Sequence, residues 1–274
     1  MTFSVVGRSE DGSAWGVAVA SKFLAVGAVV PAAEAGVGAI ATQAAANLRY
    51  RPDGLALLRS GHSAQETLDR LIAADDGRAE RQAGVVDAAG EAATFTGPEC
   101  MVWAGGRTAA NMAVQGNILT GPDVVDRMVR SWQDVPSDRP LARRLLAALR
   151  AGDQAGGDRR GRQSAALLVV SPGAGYGGGS DVLVDLRVDD SADPCAELER
   201  LLDRHDLYFG RPAEGDLLRV TGEVGDRVSS ALARLGYERL DDWVGTENYE
   251  MRVVDGRIDR AVLAVLEQQA ADRG

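Results

Sequence analysis

The chain has 274 residues, 45% of them apolar and 26% charged, with 33 glycines, which suits one large folded domain plus a small one, or two medium ones, and excludes disorder. Its formal charge of −10 argues against nucleic acid and against an anionic membrane surface as partners, since both need a basic face. With only His62 and His205, and with Cys100 and Cys195 standing alone, a histidine-rich metal centre is excluded, no cofactor is expected, and the cysteines read as free thiols of a reducing compartment.

Short apolar runs at Thr2–Arg8 and Ala14–Ala20, separated by the turn-rich "SEDGS", read as a hairpin, and "GVGAIATQ" (Gly36–Gln43) reads as a third strand. Two helices follow, near Pro52–Ser60 and over Ala64–Ala74, the second with Leu68, Leu71 and Ile72 on one stripe and a Ser63/Glu66 capping box at its start. His62 stands at that helix entry and His205 near the end of a later helix, and both read as structural. Strands return in "RQAGVVDAAGEAATFTG" and "MAVQGN", then helices near Pro122–Gln133 and Leu141–Ala151, then a strand pair, "RQSAALLVVS" and "DVLVDLRV", around the glycine loop Gly173–Gly179. The order is not a regular β-α alternation, so sheets layered with helices are favoured over a doubly wound parallel fold. "SADPCAELERLLDRHDLYF" reads as a capped helix closing this domain, and "GRPAEG" as a linker. From about Asp216 a mostly helical module of about sixty residues follows. No leader opens the chain and no apolar run is long enough for a bilayer, so a cytoplasmic protein is expected.

Three features carry chemistry. Gly173, Gly175 and Gly178 match GxGxxG, but a strand follows them, whereas a dinucleotide site needs a helix N-terminus there, so a hairpin loop is expected. Thr2 stands directly behind the initiator methionine. With Met1 removed, its α-amine, which titrates near about 7.7–8.0, becomes a general base beside the residue's own hydroxyl, so nucleophile and base share one residue. The structural alternative is a β-branched residue beginning a strand. Lys22 is the one lysine in the chain. It offers a compact charge that arginine does not, and it ends the strand paired with the one Thr2 begins; chance survival of a surface lysine is the alternative.

"MTFSVVGRSEDGSAWGVAVASKFLAVGAVVPAAEAGVGAIATQA", "RQAGVVDAAGEAATFTG", "VQGNILTG" and "GGDRRGRQSAALLVV", four blocks in order, resemble an uncharacterised bacterial family, domain of unknown function 1028, which is grouped with the N-terminal nucleophile hydrolases. The resemblance covers residues 1–207 and implies an α+β fold, a four-layer α-β-β-α sandwich with the nucleophile at the start of a central strand. It implies Thr2 as nucleophile and Lys22 as the nearby cation. Gln115, the Gly116 amide and Asn117 would be oxyanion donors. Asp158 would orient the amine or bind a substrate ammonium, with Arg160 and Ser164 lining the same pocket. The plainer alternatives are a surface turn for Asp158, Arg160 and Ser164, and a turn-organising role for Asn117. After a linker at 208–215, residues 216–274 resemble a peptidoglycan-binding domain often appended to this family. There Trp243 and Tyr249 are either the module's core or stacking platforms for a ligand.

The leading expectation is a cytoplasmic amidohydrolase that cleaves a small peptide or acylated amine through a Thr2 acyl-enzyme, with cell-wall fragments as ligands of the C-terminal domain and a homo-oligomeric assembly. Two alternatives are a non-catalytic ligand-binding or assembly protein on the same fold, and a conventional hydrolase using His62, Cys100 or a serine.

Overall fold

The computed structural model describes residues 2–273 and divides into two units, Met1–Arg200 and Leu201–Gly274. In the first, β1 (Thr2–Arg8) and β2 (Trp15–Ser21) form the expected hairpin. They are central in a six-stranded antiparallel sheet with β7 (Gly105–Ala109), β8 (Met112–Asn117), β9 (Ser164–Val170) and β10 (Val182–Val188), in the order β10-β9-β2-β1-β8-β7. A second antiparallel sheet runs β3 (Pro31–Glu34), β4 (Gly38–Ala44), β5 (Arg81–Asp87), β6 (Ala92–Thr96).

The two sheets face each other. Helices α1 (Tyr50–Arg59) and α2 (Ala64–Ala73) pack on the four-stranded sheet, α3 (Asp123–Asp134) and α4 (Leu141–Gln154) on the six-stranded one. Strand alternation sorts the side chains between these packings. Ala39 and Ala41 of β4 join Val6, Val17 and Val19 between the sheets, while Ile40, between them in sequence, joins Leu68 and Leu71 under α2. On β1 the even positions share the inter-sheet face with Val6, which puts Thr2 and Ser4 on that face as well.

Two strands of the first unit go beyond the sequence reading: β3 and β7. Both are edge strands, covered less than the central ones, so "PAAE" and "GGRTA" lack the apolar runs that mark the others. The glycine loop joins β9 to β10 as a hairpin, as expected.

Helix α5 (Pro194–Phe209) crosses the division. The second unit continues with α6 (Gly222–Leu235), α7 (Leu240–Glu247) and α8 (Arg260–Asp272), the last capped by the Asp259 carboxylate on the Ala261 N–H. It also holds a small antiparallel sheet that the helical reading did not include: β11 (Leu217–Arg219), β13 (Arg257–Asp259) and β12 (Val253–Val254), in that order. Segments of two or three residues are too short for a period to show. Trp243 and Tyr249 are buried in this unit's core with Leu232, Val262 and Leu266. Their rings lie 5.4 Å apart and the Trp243 indole N–H donates to Gln269 Oε1, so they are core residues rather than exposed platforms. No helix among the described residues is long and apolar enough to cross a membrane.

Candidate active site

Thr2 is the first residue of β1, and the strand register places it between the ends of β2 and β8. Phe3 pairs with Ala20 on one side, and Thr2 itself pairs with Asn117 on the other. It is 6% exposed. Its hydroxyl lies 3.1 Å from that of Ser21, the last residue of β2. Its carbonyl accepts from Gln43 Nε2 (3.2 Å) and from Asn117 Nδ2 (3.4 Å). The start of β1 is thus held on its backbone by two side-chain amides.

Those amides belong to a buried polar network between the sheets. Gln82 Oε1 accepts from Gln43 Nε2 (2.8 Å) and Asn117 Nδ2 (2.9 Å), and Gln82 Nε2 donates to Thr96 Oγ1 (2.9 Å) and the Gly116 carbonyl (2.7 Å). Ser4 donates to Gln43 Oε1 (2.7 Å) and accepts from Gln115 Nε2 (2.6 Å). Gly84 makes room for this packing, since a Cβ there would stand 2.0 Å from Gln115 Oε1. Buried amides satisfied on both ends fix a strand end more firmly than apolar contact alone.

A second cluster stands beside Ser21. Leu119 and Asp158 form a β-bridge, which brings the Asp158 carboxylate to the backbone N–H of Lys22 (2.8 Å). The same carboxylate accepts from the Arg160 backbone N–H (2.9 Å) and from its guanidinium (3.2 Å). Ser164, opposite Ser21 in the β2–β9 register, donates to the Phe23 carbonyl and accepts from the Val26 N–H (3.1 Å). The turn after β2 is therefore pinned from two sides.

Of the residues expected at the site, Thr2 and Asn117 meet directly, and the Lys22 backbone, Asp158 and Arg160 form the adjoining cluster. The Lys22 ammonium points elsewhere: it donates to the Arg162 carbonyl (3.3 Å), and the Ser21 hydroxyl is the group at the Thr2 hydroxyl. Gln115 is engaged with Ser4, Gly116 sits inside the ladder between β1 and β7, and Ser164 serves the turn. Sequence reasoning missed Ser21, Gln43 and Gln82. Each is a polar, buried residue at or next to the end of a largely apolar strand, and all three strand ends lie at the Thr2 end of the sheets, which is the signal that could have found them.

The residues of a conventional hydrolase are engaged locally. The Cys100 thiol donates to the Arg81 carbonyl (3.3 Å), and burial pushes its pKa up, as it does that of Cys195. His62 Nδ1 lies 3.0 Å from Ser60 Oγ and 3.1 Å from the Leu57 carbonyl, beside the Ser63/Glu66 capping box. No cluster of three metal-ligating side chains occurs among the described residues.

Comparison with known proteins adds context. The model described as "Family of unknown function (DUF1028)" matches residues 2–198, and one described as "Putative peptidoglycan binding domain" matches residues 208–266. A crystal structure of a protein of the first family from Silicibacter pomeroyi is 31% identical and superposes with a TM-score of 0.67, covering 82% of this chain and 92% of that one. Anbu, an ancestral β-subunit from Yersinia bercovieri, is 13% identical with a TM-score of 0.32, over 74% of this chain and 93% of its own. An Anbu mutant from a Hyphomicrobium strain gives 13% and 0.34, over 74% and 94%. No curated protein matches the chain.

Proposed function

We propose, from the premise that the chain belongs to the DUF1028 family, that it is an N-terminal-threonine amidohydrolase. With Met1 removed, the Thr2 hydroxyl attacks the carbonyl carbon of an amide and the α-amine takes the hydroxyl proton. That proton passes to the departing amine as the C–N bond breaks, and water then hydrolyses the Thr2 ester to release the acid and restore the hydroxyl. The observation that carries this reading is the placement of Thr2: its hydroxyl meets that of Ser21 at 3.1 Å while its carbonyl is held by Gln43 and Asn117. The nucleophile is thereby oriented by residues that take no part in the chemistry. Asp158 acts through the backbone, holding Lys22 and with it the end of β2. On this reading the two facing sheets, each with a helix pair outside, are the four-layer α-β-β-α sandwich of the N-terminal nucleophile hydrolases. A small peptide or acylated amine is the substrate, and the match over residues 208–266 supports cell-wall fragments as the ligand of the second unit.

One observation favours a second reading, a non-catalytic binding protein on this fold. The Gln115 and Asn117 amides already donate to Ser4, Gln82 and Thr2, so neither stands ready for an oxyanion. Two measurements separate the readings. The amidohydrolase reading expects an intact mass short by one methionine residue, and amide turnover that Thr2→Ala abolishes while leaving the urea midpoint unchanged. Retained Met1, or turnover indifferent to Thr2→Ala, rejects it in favour of the binding protein.

A further inference from the structure

We propose that the rim around Thr2 selects amides whose acyl part carries a large, apolar, uncharged side chain, an inference that rests on the Thr2 reading and names its substrate class. The strand ends that frame Thr2 run out into loops bearing exposed apolar groups. β2 ends at Ser21, and Phe23 and Leu24 follow at 50% and 60% exposure. β8 ends at Asn117, and the next two N–H groups, of Ile118 and Leu119, donate to the carbonyls of Met101 and Trp103, each at 2.9 Å. This fixes the loop carrying Met101 and Val102, 67% and 73% exposed, next to the residue paired with Thr2. Asp158 joins the two sides, bridging Leu119 through its backbone and holding Lys22 through its carboxylate.

Single exposed apolar side chains are ordinary, but four on two loops tied to one buried nucleophile make a surface that gains by covering an apolar group. Its continuity with the strand ends that position Thr2 commits it to the acyl side chain of a substrate. The charge setting narrows the class. On the same segments Arg160 and Arg162 are paired with Asp158 and Asp153, the Lys22 ammonium donates to the Arg162 carbonyl, and the exposed Arg159 is set against Glu99 on the facing loop, so neither sign of charge predominates beside the apolar groups. A charged side chain covering these apolar groups would lose water without a matched partner, so an uncharged one is favoured there.

The test uses binding and turnover in parallel. Thr2→Ala protein is titrated calorimetrically with the N-acetyl amides of phenylalanine, leucine, glycine and lysine. The apolar pair is expected to bind at least tenfold more tightly than glycine, with lysine weakest. Met101→Glu and Leu24→Glu, each at an exposed position and each added to Thr2→Ala, are expected to weaken the apolar probes about tenfold and leave glycine unchanged. Fluorogenic amides of the same four residues are then offered to protein with Met1 removed, and kcat/KM is expected to rank them in the same order. Equal binding of the four probes, binding of none, or indifference to both variants overturns the apolar rim. Thr2-dependent turnover without apolar preference overturns the rim and leaves the Thr2 reading standing, whereas apolar binding without turnover overturns the Thr2 reading and supports the rim.

Discussion

At the scale of single residues, the site is built from hydrogen bonds that leave no member easily removed. Gln82 is the hub, accepting from Gln43 and Asn117 and donating to Thr96 and the Gly116 carbonyl. Gln82→Leu strands buried partners on both sheets, and an unsatisfied buried group costs about 1–3 kcal/mol. The variant is expected to lose about 3 kcal/mol in urea unfolding, and the amide proton of Phe3 to exchange faster than in the parent. Asp75 is a second hub, on the loop after α2. Its carboxylate is held well below the usual range, foremost by the hydrogen bond from the Arg81 guanidinium and then by the Asn47 amide and the Gly77 N–H. A depressed folded pKa adds stability above the unfolded value, and that stability is lost as pH falls through the folded one. The urea midpoint of the parent should therefore fall steeply below about pH 4, and Asp75→Asn should be less stable at pH 7 with a shallower acid limb.

At the scale of elements, what was legible followed the strength of the local signal. The β1–β2 hairpin, the capped helix α2 and the strands around "DAAG" all carry a period or a capping pair, and the structure has them. The α2 cap is complete, the Ser63 hydroxyl accepting from the Glu66 N–H and the Glu66 carboxylate from the Ser63 N–H. Ser63→Ala is expected to cost about 1 kcal/mol, read as a lower thermal midpoint with unchanged helical signal. The edge strands β3 and β7 escaped because partial cover relaxes the demand for apolar residues. At the candidate site, position alone marked Thr2, but its neighbours come from β2, β4, β5 and β8, and only the register of two sheets puts Ser21, Gln43, Gln82 and Asn117 at one end. The family resemblance supplied Asn117 and Asp158. It did not show that the Lys22 backbone, rather than its ammonium, is the part tied to Asp158.

At the scale of the whole molecule, each unit has its own apolar core, the second centred on Trp243, Leu232, Val262 and Leu266. Leu266→Ala removes a fully buried side chain and is expected to destabilise its unit by about 2–5 kcal/mol. Hydrogen exchange should then quicken in the amides of α6 and α8 while those of β1, β2 and β8 keep the parent's protection. The burial of Thr2 has a consequence for the order of events in making the protein. Once β1 lies between β2 and β8, Thr2 itself is 6% exposed, which leaves little room for the extended grip of an aminopeptidase on that residue. On the amidohydrolase reading proposed above, removal of Met1 would therefore have to precede the closing of this sheet. The same reading expects protein refolded with its methionine in place to keep it, which intact mass after incubation with an aminopeptidase checks, so two preparations of one gene would differ in a single residue.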